Sequence, residues 1–302
     1  MKHFITGGTG FIGRHLCRQL LSQGHVLTVL TRNPDTVKSL FGVHKVTAIT
    51  DLQEWKADQA YDAVINLAGE PIMARRWSES RKRILWGSRV SLTQRLIECM
   101  ARAKTQPSVF ISGSAIGIYG DQGDAELDES SPGGGGFGHR LCRAWEAAAQ
   151  TAGDSGIRVC LLRTGLVVGR QGGFLKQMLL PFRLGLGGRL GSGRQWMSWV
   201  HLDDHVRMTQ FLLDSQAACG VYNVTAPNPV TNAEFTRLLA EQLHRPALIP
   251  LPAPLLKLAA GEMSELLLGS QRVLPRKAVA QGFKFNFETL EPALKHALSR
   301  QA

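Results

Sequence analysis

The chain is poor in the features that mark several protein classes. Its five cysteines, Cys17, Cys99, Cys142, Cys160 and Cys219, are scattered, odd in number and never spaced as CxxC. That pattern argues against a disulfide framework, and against zinc, whose ligands come at closer spacings. Reduced thiols and no bound metal are the expectation. No apolar run reaches the ~18 residues that a membrane span needs. With 44% hydrophobic and 20% charged residues, the composition is that of a soluble folded protein. No secretory or transit segment stands out, because Met1 leads straight into a strand and a glycine loop, so a cytoplasmic location is expected. Acidic residues are outnumbered: 35 Lys and Arg against 24 Asp and Glu leave a net charge of +11. Such a balance suits an anionic partner, either nucleic acid or a phosphorylated small molecule. The densest basic stretch, Arg75-Arg76-Trp77 to Arg81-Lys82-Arg83, is short and mixed with apolar residues. It reads as a solvated helix face, so a small anionic substrate is expected ahead of nucleic acid.

What is present is an alternation of short apolar runs with longer helical patterns, the mark of βαβ units and a parallel sheet. Residues 3–5, 26–30, 63–65, 109–111 and 159–162 read as buried strands. Segments 11–23, 88–104 and 139–152 carry apolar residues at helical spacing. The character changes after Arg163, where glycines crowd around a short helical stretch and suggest loops that wrap a ligand. Residues 221–224 read as a further strand, and 232–243 as a helix with Thr231 at its N-cap and Glu234 in capping-box position. At 302 residues, one large or two small domains fit. The division expected is a Rossmann domain over 1–165, rejoined by 195–225, and a smaller, mostly helical lobe from 166–194 and 226–302.

Thr6-Gly7-Gly8-Thr9-Gly10-Phe11-Ile12-Gly13 follows the first strand and opens a helical pattern. Glycines at Gly7, Gly10 and Gly13 permit a tight turn, close approach of backbone to a pyrophosphate and packing of helix on strand, while the helix N-terminus offers free N–H groups to negative charge. Gly7, Thr9, Gly10, Phe11, Ile12 and Gly13 are therefore candidate dinucleotide contacts. About twenty residues further on, an NAD-specific site would carry Asp or Glu at the end of the second strand. Here the strand ends in Thr31-Arg32-Asn33. A guanidinium pairs with a ribose 2′-phosphate and no carboxylate repels it, so Thr31 and Arg32 point to NADP, the other reading of Arg32 being a plain surface arginine. Asn66-Leu67-Ala68-Gly69-Glu70 ends another buried strand, where ligands of open α/β sheets lie, making Leu67, Ala68, Gly69 and Glu70 cofactor candidates. By the same rule Val167 either lines the nicotinamide or packs in the core.

Together these residues resemble the extended short-chain dehydrogenase/reductase superfamily, in its NAD-dependent epimerase/dehydratase group. The resemblance runs through TGGTGFIG, NLAGE at 66–70, SGSAIGIYG at 112–120, LLRTGLVVG at 161–169, the 181–206 segment and VYNVTAPNPVTNAEF at 221–235. From Arg245 onward the chain is similar to the atypical YfcH-type epimerase-family proteins. The resemblance implies a doubly wound Rossmann sheet of about seven strands, NADP as ligand, and Arg89 facing the cofactor. It also implies chemistry by a serine and a Tyr-x-x-x-Lys helix, in which lysine lowers the tyrosine pKa for proton exchange. Ser114 matches the serine. The Tyr and Lys positions fall at Gly138 and Cys142, neither of which can do the work.

Three residues are candidates to stand in. His139 lies next to the missing tyrosine and titrates near neutrality; Tyr119 follows Ser114 closely and could share the cleft; Arg140 could stabilise developing negative charge. Asp121, Asp124, Glu126, Asp128 and Glu129 read as solvated loop charge, and Gly133-Gly134-Gly135-Gly136 as a flexible tether near the cleft. Asp203 is expected to cap the next helix, and His201 with Asp204 to tie the two lobes together rather than bind metal. Arg183, Arg189 and Arg194 could meet an anionic substrate or serve only the surface. The function expected is an NADP-dependent oxidoreductase or epimerase acting on a small molecule, nucleotide sugars among the candidates. The alternative is a non-catalytic NADP(H)-binding sensor or scaffold.

Overall fold

The structure, a computed structural model, describes residues 1–299. Five strands, β1 (Lys2–Thr6), β2 (Val26–Leu30), β3 (Val46–Ile49), β4 (Ala63–Asn66) and β5 (Val109–Ala115), pair in parallel in the order β3-β2-β1-β4-β5. Strands Arg158–Thr164 and Gly220–Val224 extend the sheet past β5, giving seven parallel strands. The order reverses at β1, which opens a crevice at the carboxyl ends of β1 and β4. Six of the seven strands coincide with apolar runs in the sequence. The exception is β3, a four-residue edge strand whose half-exposed VTAI carries too short a signal to read alone.

Both faces of the sheet are covered, and neighbouring residues on each strand enter opposite cores, as a period of two requires. Ile5, Ile65, Ile111 and Leu162 pack with helices α1 (Phe11–Ser22) and α7 (Leu202–Asp214). Phe4, Val64, Phe110 and Leu161 pack on the other side with α4 (Leu92–Arg102) and α5 (Gly136–Gln150). Helix α2 (Pro34–Phe41) follows β2. The helix read as 88–104 begins earlier: Ser78 caps α3 (Glu79–Trp86), and a π-helical turn, Gly87–Ser91, leads into α4. The basic stretch is thus only partly solvated, since Arg81 is buried and donates to the Pro71 carbonyl at 2.6 Å.

A second core forms around Val168, Phe174, Trp199, Phe235 and Leu290, drawing on α6 (Gly173–Arg183), α8 (Asn232–Leu243) and α12 (Leu290–Leu298). Thr231 caps α8 as expected, its side chain accepting from the Glu234 amide. The cap of α7 is not Asp203 but His201, whose Nδ1 accepts from the Asp203 amide at 3.1 Å. Asp203 sits within the first turn, where its charge suits the helix N-terminus. Asp204 is fully buried and accepts from the amides of Asn286 and Phe287 at 2.8 and 2.9 Å, fastening the carboxy-terminal segment to α7. That segment contains α9 (Ala253–Ala260), α10 (Glu265–Leu268) and α11 (Arg276–Ala280) before α12.

Candidate active site

The glycine loop between β1 and α1 is a cradle that tolerates no side chain at two points. A Cβ on Gly13 would stand 2.1 Å from the Gly7 carbonyl oxygen, and one on Gly7, which has φ +70, would meet the Leu67 backbone at 2.6 Å. Gly10 occupies the N-cap of α1 and supplies no side-chain cap, so the first amides of the helix stay open toward the crevice. Phe11 turns its ring away from that opening into a collar of glycines, since a Cβ on Gly169 or Gly172 would reach the ring at 2.6 or 2.4 Å. This packing accounts for three of the glycines after Arg163, since Gly169, Gly172 and Gly173 all lie against the Phe11 ring of α1. Beneath the cradle, Thr6 donates to Asn66, and Asn66 donates to Thr93 and Ser112, locking the ends of β1, β4 and β5 together. Val167 is buried in the main core beside Val200.

At the rim of the crevice, Thr31 ends just past β2 and the Arg32 side chain is 93% exposed. Its guanidinium rests 2.9 Å from Glu70. A carboxylate therefore does stand beside Arg32, brought from the loop after β4, where sequence spacing alone showed none. Burial opposes its charge, yet Arg32 and Arg81 together hold the Glu70 carboxyl below the ordinary range. Ala68 donates its amide to Thr6 Oγ1, which fixes the loop. Gly69 faces Arg89, whose guanidinium would lie 3.0 Å from a Cβ there. Arg89 projects from the π-helical turn, donates to the Glu70 carbonyl at 2.9 Å and lies over the Trp145 ring. Burial lowers its pKa, and among the described residues no carboxylate pairs with it. A desolvated cation without a counter-ion, beside backbone that only glycine permits, fits an anionic ligand.

Next along the sheet edge, Ser114 is buried at the end of β5 and donates to Glu146 Oε1 at 2.6 Å. Glu146 also takes two bonds from Arg163, at 2.8 and 2.9 Å, so its carboxylate is fully engaged. Arg163 in turn donates to the Tyr119 hydroxyl at 2.9 Å. Burial opposes the Arg163 charge, but Glu146 and Tyr119 outweigh it and raise its pKa. Tyr119 was expected to share the cleft; it is instead fully buried, its hydroxyl bonded to the Asp128 carbonyl and Asn223, with burial raising its pKa. It braces the core and does not meet the crevice. Two participants here, Glu146 and Arg163, were missed from sequence. The available signal was charge placed inside a helix and a strand that otherwise read as buried, a placement that demands a partner.

His139 Nδ1 lies 2.6 Å from the Ile118 carbonyl. A carbonyl only accepts, so Nδ1 carries a proton and donates it there, which fixes the ring beside the Ile118 turn. Gly138 leaves its position open, and burial pushes the Cys142 thiol up to about 12, so no charge comes from there. The glycines at 133–136 are not a free tether. A Cβ on Gly133 would meet the His139 ring at 2.3 Å and one on Gly134 the Tyr119 carbonyl oxygen at 2.2 Å, so both lie flat on neighbouring groups. Arg140, Arg183, Arg189 and Arg194 are exposed.

Comparison with known proteins agrees with this architecture. Residues 3–225 match the NAD dependent epimerase/dehydratase family, and residues 251–297 match a domain of unknown function, DUF1731. The chain belongs to the NAD dependent epimerase/dehydratase family. It is similar to the crystal structure of human epimerase family protein SDR39U1 with NADPH, at 36% identity and a TM-score of 0.90, covering 100% of both chains. The epimerase family protein YfhF of Bacillus subtilis is 36% identical across 99% of this chain and 98% of its own. A nucleoside-diphosphate sugar epimerase structure from Corynebacterium glutamicum is 31% identical with a TM-score of 0.78, covering 99% of this chain and 58% of that one.

His201, Asp203 and His296 approach one another within 4.8 Å. A proton chain accounts for the contact: with Nδ1 of His201 accepting from Asp203, its Nε2–H faces His296 Nδ1 at 3.2 Å. No helix among the described residues is long and apolar enough to cross a membrane.

Proposed function

We propose that the protein binds NADPH in the crevice at the carboxyl edge of its sheet and acts as an NADP-dependent oxidoreductase or epimerase on a small anionic molecule, a nucleotide sugar being the substrate class. The observation that carries this reading is the glycine cradle at the uncapped mouth of α1, with Arg32 93% exposed at its rim. Gly7, Thr9, Gly10, Phe11, Ile12 and Gly13 present backbone to the pyrophosphate. Arg32 turns from Glu70 to the 2′-phosphate, and Thr31 lines the adenosine ribose. Leu67, Ala68, Gly69, Glu70 and Arg89 border the remainder, with Val167 below the nicotinamide end. When bound, the dinucleotide supplies or accepts hydride. Ser114 and His139 flank the reacting end, where their side chains meet a substrate hydroxyl. Residues 166–194 and 226–299 close over the substrate, with Arg189 and Arg194 exposed to meet its charge.

The NADPH of the human relative and the nucleotide-sugar name of the bacterial one support this reading. A cytoplasmic, reducing location goes with it: the cysteines are free, and burial pushes those at 17 and 160 up to about 12 and 11. Thermal denaturation with NADPH or NADH tests it. Ligand at ~100 times its dissociation constant stabilises by ~2.7 kcal/mol; NADPH is expected to raise the melting temperature far more than NADH, and no shift with NADPH would refute the reading. The lack of a side chain at Gly138 favours a second reading, a non-catalytic NADPH sensor. Turnover across a panel of carbonyls and nucleotide sugars separates the two.

A further inference from the structure

The face of α5 that carries Gly138, Cys142 and Glu146 at successive turns packs on the end of β5 and the Ile116–Tyr119 turn. Glu146 takes the Ser114 hydroxyl, Cys142 lies under Gly117, and a side chain at 138 would project one turn further on. That space is occupied from outside the helix. A Cβ on Gly138 would stand 3.3 Å from Glu265 Oε1, and one on Gly136 would stand 2.6 Å from Glu265 Oε2. The carboxyl thus lies against two glycines, and the Gly138 amide donates to it at 3.2 Å.

Its position is fixed from both sides. Met263 and Leu266 seat in the apolar cluster of Trp77, Phe137, Leu141 and Trp145, so the intervening carboxyl cannot drift along α5. The charged groups that face it are Glu262 from its own segment, Arg140 on α5 and Lys82 on α3, and none forms an ion pair with it. Glu262 takes Lys82 for itself at 2.6 Å. Burial is the largest influence and raises the Glu265 pKa, with the neighbouring Glu262 adding to it. The residue as a whole remains exposed, so water or substrate reaches it.

The side chains expected to move a proton at this edge are committed elsewhere: the Ser114 hydroxyl donates to Glu146, His139 Nδ1 is held by the Ile118 carbonyl, and Tyr119 is sealed in the core. We propose that Glu265, delivered by the carboxy-terminal segment into the space left open at Gly138, is the group that exchanges a proton with the substrate. In the reducing direction, the carboxyl O–H bond breaks and its proton passes to the carbonyl oxygen. The C=O π pair becomes the new O–H bond, and hydride from the dinucleotide forms the new C–H bond. The carbonyl is reduced, the dinucleotide is oxidised, and the carboxylate regains its proton from water. This deepens the proposed function and rests on it, and it gives the segment of unknown function a task.

The other role for this carboxyl is a helix cap supplied to α5 from outside, and Glu265→Gln separates the two because the amide still accepts from Gly138 while losing the acid. The test uses the full chain with 13Cδ-labelled glutamate, saturated with NADPH. One resonance, missing in Glu265→Gln, is expected to titrate above the ordinary glutamate range; a midpoint within or below that range overturns the proposal. With 4-nitrobenzaldehyde as probe, Glu265→Gln should lose at least ~100-fold in kcat with the KM for NADPH unchanged, and full kcat in the variant equally overturns it. A wild-type protein that does not bind NADPH sinks the parent reading. Normal binding with an ordinary glutamate titration sinks this inference alone.

Discussion

Arg163 and Glu146 face each other across a buried pair of hydrogen bonds, 2.8 and 2.9 Å long, beneath the Ser114 hydroxyl. Removing one partner strands the other charge in the core, which costs about 3–5 kcal/mol. Glu146→Leu and Arg163→Met are each expected to lower stability by that order in urea denaturation. The double variant, with no charge left to strand, should recover most of the loss; a double variant as unstable as the sum of the singles would show that the pair is not coupled.

Arg32 and its partner Glu70 are expected to set coenzyme choice. Arg32→Ala should weaken NADPH by roughly 10- to 100-fold, the worth of a charged hydrogen bond, and leave NADH nearly unchanged. Glu70→Gln frees Arg32 from its 2.9 Å partner and should tighten NADPH. Fluorescence titration with both coenzymes reads the ratio, and equal losses for both in Arg32→Ala would remove Arg32 from the 2′-phosphate.

Gly13→Ala places a methyl 2.1 Å from the Gly7 carbonyl oxygen, so the turn must open. NADPH affinity should fall beyond detection, with a stability loss of about 1–3 kcal/mol. Calorimetry on the variant gives both numbers. Undiminished binding would mean that the cradle is not the pyrophosphate site.

Acid should weaken the fold through two buried histidines. Burial lowers both His201 and His205 from 6.5 to about 4. Unfolded rings take up protons near 6.5 while native ones wait until about 4, so the unfolded state gains between those values. Stability is full above pH 6.5 and falls as pH drops toward 4, by at most about 3 kcal/mol per ring. Urea midpoints at pH 7.5 and pH 5 should differ accordingly, and His205→Gln should flatten part of the difference.

Tyr119→Phe leaves Arg163 Nη1 without its 2.9 Å acceptor and Asn223 without its donor. A loss of about 1–3 kcal/mol is expected, with NADPH affinity unchanged. A selective fall in kcat with wild-type stability would return Tyr119 to the reaction.

The parallel sheet was legible in the sequence because its strands are buried on both faces and read as unbroken apolar runs, and because Gly7, Gly10 and Gly13 answer a local demand of the backbone. β3 was not, being short and half exposed at an edge. The candidate site was legible where one segment builds it. It was hidden where distant segments meet: Glu70 against Arg32 spans 38 residues, and Glu265 against Gly138 spans 127. The burial of Tyr119 was equally hidden, since only Arg163 and Asn223 from later strands show that its hydroxyl is spoken for.

The Asp204 clamp on the amides of Asn286 and Phe287 has a consequence for how the chain can be divided. A fragment stopping at residue 225 keeps every strand of the seven-stranded sheet yet leaves Asp204 with Arg207 but without its two amide donors, and the Ser198 hydroxyl without the Val273 amide. The carboxy-terminal segment is therefore expected to act as a keystone, and the amino-terminal two thirds to be less stable when cut free of it.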